Sequence, residues 1–295
     1  MTVAKHALDA RVVRAVLRPL PPDAGKEARG RVLVVGGSQR YPGAMLLAAR
    51  AAARCGAGVV TIAAARSVVE MIAGQDPNLT FLPLAEAQPG VVATGAAAQV
   101  SQVLGEKIRA LLVGPGLAHA SGTDDFVVAL LRNAKGVATV IDADGLNALA
   151  RTEDWIAALP KTAVLTPHDG EAARLAGRVV PAGVARIGFA ERYATAWNAV
   201  VALKGAVTVV SDGKRTYVHD APNPTLGVGG SGDALGGAIA AFLARGLAPI
   251  AAVAAAVWVH GRAGALLASE IGESGALATD IVDALPRALR EILSP

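Results

Sequence analysis

Seven short runs, most of them rich in β-branched residues, alternate along this chain with Ala-rich stretches of helical period; they occupy residues 32–35, 59–62, 111–113, 137–141, 164–166, 200–203 and 207–211. Such alternation predicts an α/β fold with a largely parallel central sheet and helices on both faces. Beyond Gly205 the pattern changes to two strands joined at Asp212 and Gly213 in a hairpin turn. From Gly232 onward the chain reads as a helical C-terminal region, broken at residues 246–249 and 272–275. No low-complexity linker and no repeat divides the chain, so residues 30–295 are expected to form one domain. Residues 1–29 read as an N-terminal arm: a short helical pattern over 8–17, then Pro19, Pro21 and Pro22, then a polar segment.

Hydrophobic residues make up 53% of the 295 but aromatics only 3%, which suits a core of Ala, Val, Leu and Ile packed closely between helix and sheet. The mean hydropathy of +0.45 raises the question of a membrane span. The longest apolar run, residues 247–259, contains Pro249 and stops at His260, short of the ~20 residues a spanning helix needs. Lys5, His6, Asp9, Arg11 and Arg14 stand at the N-terminus with no continuous apolar stretch behind them, which argues against a signal peptide and for a cytoplasmic protein. A single cysteine, Cys55, excludes an intrachain disulfide and a Cys-based zinc site. Lys and Arg are scattered, so the net charge of +4 and pI near 9.5 assist anionic ligands weakly and speak against nucleic acid.

In a parallel α/β sheet, ligands bind outside the carboxyl ends of the strands, so the turns that follow the runs matter most. Four stand out: VLVVGGSQRYPGA, LLVGPGL, VIDADGLNAL with Asp142, Asp144 and Asn147, and VLTPHDGEAARL with Pro167, His168, Asp169 and Glu171. A plainer reading stays open for each, with glycines serving the turn and Asp144 or Asp169 capping a helix. The sharpest feature is NPTLGVGGSGDALGGAIAAFLARG, residues 223–246. Gly229, Gly230, Ser231 and Gly232 form a candidate anion hole, with backbone N–H groups turned outward at the positive end of a helix. Asp233 follows in the first helical turn, where the dipole favours an acid in any case but where a carboxylate can also take a proton from an attacking hydroxyl. Gly227, Gly229 and Gly232 formally satisfy G-x-G-x-x-G, yet no strand precedes them and no strand ending in an acid follows, so a dinucleotide fold is not indicated. There is no P-loop motif, and His6, His119, His168, His219 and His260 lack zinc-ligand spacing.

Taken together these strings resemble the NAD(P)H-hydrate dehydratases, a family of ribokinase-like fold, in the family's order from about Gly30 to the C-terminus. The remaining matching strings are VALKGAVTVV and VHGRAGALLASEIGESGALATDIVDALPRAL. GGSGD stands where the family more often has GGTGD, and PHDGE where it often has PHPGE; the carboxylate, histidine and lysine are all retained. The resemblance implies that Ala44, Gly116, His168 and Asp233 contact the hydrated nicotinamide nucleotide, and that Lys204, Gly205, Ala206, Val207, Thr208 and Gly232 line an adenine-nucleotide site. It implies Mg²⁺ and ADP or ATP as phosphoryl donor, with ADP favoured, and hydrated NADH or NADPH as substrate. No metal ligands are assigned. A chain of this length holds only the dehydratase part, so a separate epimerase is expected as a functional partner. A homo-oligomer is expected too, since Ala-rich helices such as residues 247–267 pack against a neighbour as readily as inside one chain.

The implied chemistry is physically coherent. Hydroxide is a poor leaving group at neutral pH, and phosphorylation of the hydrate's hydroxyl converts it into a good one. Asp233 would accept the hydroxyl proton while the glycine turn stabilises the transferring phosphoryl. Two alternatives remain: a small-molecule kinase of the same fold that releases a phosphorylated vitamin precursor or sugar, and a nucleotide-binding regulator without turnover.

Overall fold

The computed structural model describes residues 4–105 and 107–293. Its strands are β1 (Ala4–Ala7), β2 (Arg31–Val35), β3 (Val59–Ala65), β4 (Thr80–Leu84), β5 (Glu86–Gln88), β6 (Val91–Val92), β7 (Ile108–Val113), β8 (Ala138–Ile141), β9 (Ala163–Leu165), β10 (Val200–Leu203), β11 (Val207–Ser211) and β12 (Arg215–Asp220). The helices are α1 (Ala10–Val16), α2 (Lys26–Arg29), α3 (Pro42–Arg54), α4 (Arg66–Ile72), α5 (Ala96–Leu104), α6 (Thr123–Asn133), α7 (Asp144–Ala150), α8 (Asp169–Ala176), α9 (Ala185–Ala196), α10 (Ser231–Ala244), α11 (Pro249–Ile271) and α12 (Ala278–Leu293).

Ten strands make one sheet in the order β1-β12-β11-β10-β9-β8-β7-β2-β3-β4. Every pairing is parallel except the two made by β11, which runs against both β10 and β12. Each of the seven expected runs is a strand of this sheet. The central strands are apolar nearly without interruption because both faces are covered: Val32, Leu33, Val34 and Val35 of β2 and Ala110, Leu111, Leu112 and Val113 of β7 are all buried. Strand order runs one way from β2 to β4 and the other way from β7 to β12. Right-handed crossovers therefore send α3 to one face and α6, α7 and α8 to the other. On the α3 face lie α10, α11 and α12 as well, and α10 spans β2, β7 and β8.

Several elements lie outside the expected pattern. β1 pairs in parallel with β12, placing Ala4 beside Arg215 and Ala7 beside Val218, and the chain beyond it buries Leu8, Val13 and Leu17. β4 is an edge strand that carries Pro83, a residue tolerated there because no further strand needs its missing N–H. The expected break at residues 246–249 separates α10 from α11, and Pro249 begins α11, where its fixed φ and absent N–H suit the first helical position. The helix does not stop at His260, as expected of the apolar run, but continues to Ile271. The resulting 23-residue helix is long and apolar enough to cross a membrane by composition and length. Here it is packed within the chain, against α1, α10, α12 and the sheet. Cys55 closes α3 in the core, where burial pushes its thiol up to about 12. Such a group is packing, not a nucleophile.

Candidate active site

The order of strands reverses between β2 and β7, and the loops leaving these two neighbours are the first two glycine-rich turns. They interlock. The N–H of Gly37 donates to the Pro115 carbonyl oxygen at 2.8 Å and that of Gly114 to the Val35 carbonyl oxygen at 3.0 Å. Gly116 has a positive φ of +66°, and a Cβ on it would stand 3.0 Å from the Ala44 methyl and 2.7 Å from the Tyr41 carbonyl oxygen. Ala44, in the first turn of α3, thus faces Gly116 across a van der Waals gap; these two expected substrate contacts come together. Asp144 does not cap α7 but accepts the Ala118 N–H at 2.8 Å, holding the loop beyond Gly116.

The turn before α10 lies beside them. Gly230 is the N-cap, at φ +91°, and a Cβ there would run into Leu47 of α3. Among the described residues no acceptor takes the N–H of Gly229, Gly230 or Gly232, so these donors stay available at the positive end of a 14-residue helix. Ser231 differs. Its N–H donates to the Val228 carbonyl oxygen, and the ring Nε2 of buried His260 sits 3.0 Å from its carbonyl oxygen and 3.1 Å from its hydroxyl. Burial pushes the His260 imidazole down to about 4, so it is neutral at pH 7, and α11 fastens the turn through it. Further along α10, a Cβ on Gly237 would fall onto the Ala48 carbonyl oxygen of α3. The two helices approach closely there, and contacts from Gly230 to Gly237 advance with those from Leu47 to Ala51. Ala44 and Asp233, each one turn earlier, therefore share the same end of the pair.

Three carboxylates and one ammonium converge behind the turn. Asp142 leaves β8 almost wholly buried and holds Lys204 Nζ at 2.7 Å. Glu171 of α8 lies 3.9 Å from the same ammonium. A Cβ on Gly232 would stand 3.4 Å from Lys204 Nζ and 3.9 Å from Asp142, so this cluster underlies the start of α10. Burial opposes the charge on Lys204, but Asp142 and Glu171 outweigh it and hold the ammonium above its ordinary value. Asp233 is pushed up to about 7, first by burial and then by the charge of Asp142, with Lys204 acting against. Glu171 is pushed up to about 7 in the same way, burial leading and Lys204 opposing. With both groups raised toward neutrality, each can exchange a proton near pH 7.

His168 is the N-cap of α8. Its Nδ1 accepts the Gly170 N–H at 2.9 Å, while Glu171 Oε2 accepts the His168 N–H at 2.8 Å, a capping box closed in both directions. Burial and the neighbouring Lys204 and Arg174 lower its pKa, so the imidazole is neutral, and occupation of Nδ1 by the cap leaves the proton on Nε2, 3.4 Å from Glu171 Oε1. Asp169, open to the cap reading on sequence, pairs instead with Arg186.

A cavity of about 750 Å³ opens beside His168 and is walled by Lys204, Gly205, Ala206 and Thr208, by the loop through Asn223 and Val228, and by Gly232 and His260. Five of the six expected nucleotide residues line it, Lys204, Gly205, Ala206, Thr208 and Gly232, whereas Val207 turns its carbonyl to Arg186. Ala44, Gly116 and Asp233 lie outside this wall, on the α3 side of the glycine turn. His168, expected to contact the hydrate, lines this cavity instead of joining Ala44 and Gly116, and the Lys204 N–H donates to the carbonyl oxygen of its neighbour Pro167 at 2.8 Å. Among the described residues no group of three His, Cys, Asp or Glu side chains is arranged to hold a metal ion. Magnesium that arrives on nucleotide phosphates needs no such cage; one or two carboxylates and water complete its shell. Asp142 and Glu171 do not line the cavity and are committed within the protein, Asp142 to Lys204 Nζ at 2.7 Å and Glu171 to the His168 N–H at 2.8 Å. Asp142, Glu171, Arg186 and His260 belong to the site although sequence reasoning named none of them as site residues. The first two sat in quoted motifs, but only the sheet order brings the turns after β8, β9 and β10 against α10.

Residues 32–287 match the family described as NAD(P)H-hydrate dehydratase. An ADP-dependent (S)-NAD(P)H-hydrate dehydratase of Xanthomonas campestris pv. campestris is 41% identical, over 93% of this chain and 94% of that one. The chain spans about half the length of other curated relatives, bifunctional NAD(P)H-hydrate repair enzymes at 35–40% identity. Among solved structures, an ADP/ATP-dependent NAD(P)H-hydrate dehydratase from Bacillus subtilis, co-crystallized with ATP/Mg²⁺, superposes with a TM-score of 0.81 and 29% identity over 99% of both chains. A ribokinase-like superfamily protein from Enterococcus faecalis superposes with a TM-score of 0.83 at 24% identity, over 99% of this chain and 97% of that one. The fold is ribokinase-like, and the chain belongs to the NAD(P)H-hydrate dehydratase family.

Proposed function

We propose that this protein dehydrates the S form of hydrated NADH and NADPH, using ADP or ATP to phosphorylate the substrate hydroxyl and then eliminating phosphate. The observation that carries the reading is the position of Asp233: a carboxyl group near neutrality, one residue past the free N–H groups of the glycine turn, at the end of α10 that Ala44 of α3 shares. The hydrate lies against Ala44 and Gly116 within reach of His168. The nucleotide occupies the cavity along residues 204–208, with its terminal phosphate toward Gly229, Gly230 and Gly232. Asp233 accepts the hydroxyl proton as that oxygen bonds to phosphorus, and the nucleotide leaves one phosphate shorter. The turn's N–H groups stabilise the charge on the transferring group. The ring nitrogen lone pair then expels phosphate, and loss of a proton from the adjacent ring carbon restores the dihydropyridine. Magnesium, when bound, neutralises phosphate charge; Lys204, held by Asp142, adds a fixed positive charge beside the cavity. A cytoplasmic location, a separate epimerase and self-association remain parts of this proposal.

The test is to incubate the purified protein with hydrated NADH, Mg²⁺ and either ADP or ATP while following the dihydronicotinamide absorbance. Recovery of absorbance with release of phosphate is expected in at least one mixture. A stable phosphoester without recovery favours a kinase of the same fold, and recovery in neither mixture overturns the reading.

A further inference from the structure

Arg186 of α9 is 8% exposed, a rare state for an arginine, and it spends its guanidinium on backbone. Nε donates to the Val207 carbonyl oxygen at 3.1 Å, Nη2 to the carbonyl oxygens of Leu203 and Lys204, and Nη1 to the Asp169 carboxylate. Leu203 ends β10 and Val207 begins β11, so the three carbonyls belong to the two stems of one tight turn, the turn that lines the cavity. The fourth partner, Asp169, is the first residue of α8 and the neighbour of His168. A Cβ on Gly205 would stand 2.7 Å from Nη2, so the turn is moulded on the guanidinium. The carbonyls of Leu203, Lys204 and Val207 point at Arg186, while Gly205 and Ala206 between them line the cavity.

We propose that Arg186 is a positioning residue: it fixes the nucleotide-binding turn 204–207 and ties it to the start of α8, where the hydrate-binding histidine sits. The assignment rests on the turn's role as nucleotide site. Lysine cannot replace it, because one ammonium cannot reach four acceptors spread over a planar fork.

The test measures ADP and ATP binding to the full chain by titration calorimetry with Mg²⁺ present, and in parallel the kinetics of hydrate turnover. Arg186→Lys is expected to weaken nucleotide binding by about ten- to a hundredfold, the loss that follows from one or two charge-assisted hydrogen bonds. Its kcat at saturating nucleotide should stay within about threefold of the parent, because the enzyme once loaded has the same reacting groups. Asp169→Asn keeps the three carbonyl bonds and should weaken nucleotide binding only about two- to threefold while raising the KM for the hydrate. Unchanged nucleotide affinity in Arg186→Lys overturns the proposal. So does a loss in which kcat falls as far as affinity. Should Arg186→Lys not fold, Asp169→Asn decides, and unchanged binding and KM in that variant overturn it. Weakened nucleotide binding in variants of a parent that turns over no hydrate would sink the dehydratase reading and leave this one standing.

Discussion

His168 shows how one side chain serves fold and site together. Its Nδ1 satisfies two N–H groups at the start of α8, and that bond leaves Nε2–H as the only proton the ring offers. Removing the ring therefore has two costs, which two variants separate. His168→Ala loses the cap, about 0.5–2 kcal/mol, and the Nε2 donor with it. His168→Asn keeps a good capping residue and loses only the donor. Both are expected to raise the KM for the hydrate with little change in nucleotide affinity, while thermal unfolding of the Asn variant stays near the parent. A parental KM in His168→Asn would mean that the ring acts as a cap alone. Much of this residue set was legible in the sequence: His168, Lys204 and Asp233 carry the motifs. The partners of Lys204 were not, because Asp142 and Glu171, which pair with its ammonium, and Arg186, which holds its carbonyl oxygen, come from three separate parts of the chain. Spacing along the chain carries no trace of such a meeting.

Among the elements, α10 decides where the chemistry sits. Its small residues let it lie directly on α3 and on the sheet: Gly237 against the Ala48 carbonyl, Gly236 against Leu112 and Asp142. This approach brings the glycine turn to the loops at the switch point. Gly237→Ala places a methyl on a backbone oxygen that has no room to yield, so the helices must separate. The cost is expected at about 1–3 kcal/mol, the usual range for overpacking, measured as a lower urea midpoint. Unchanged stability would show that α10 and α3 are not in close contact. The glycines themselves were visible in the sequence, and so were the strands and the last three helices. Elements that exist only through tertiary pairing were not: β1 is a four-residue strand made by its bonds to β12, and β4 contains a proline that only an edge position excuses. Pro249 marked the break between α10 and α11 correctly, but His260 misled as the end of the apolar run, since only its burial against Ser231 shows why the helix carries it.

For the molecule as a whole, the arrangement divides the carboxyl edge of the sheet into two regions that meet at the glycine turn. One is the Ala44 and Gly116 side at the switch point, and the other is the cavity along residues 204–208. Both sets of residues stand in the sequence motifs, but the motifs do not say that α10 crosses β2, β7 and β8 and so brings Asp233 to the end of the helix nearest Ala44. The central claim is that Asp233 takes the proton there. Its environment fixes the sign of the pH dependence: with the carboxyl pushed up to about 7, kcat/KM should fall about tenfold per pH unit below that value, as the base becomes protonated, and level off above it. The direct measurement is turnover of Asp233→Asn against the parent at saturating hydrate and nucleotide, with nucleotide affinity determined alongside. Asn preserves size and suits the start of a helix but accepts no proton. The account predicts a loss of about 10²- to 10⁴-fold in kcat with nucleotide binding retained, whereas turnover comparable to the parent would contradict it.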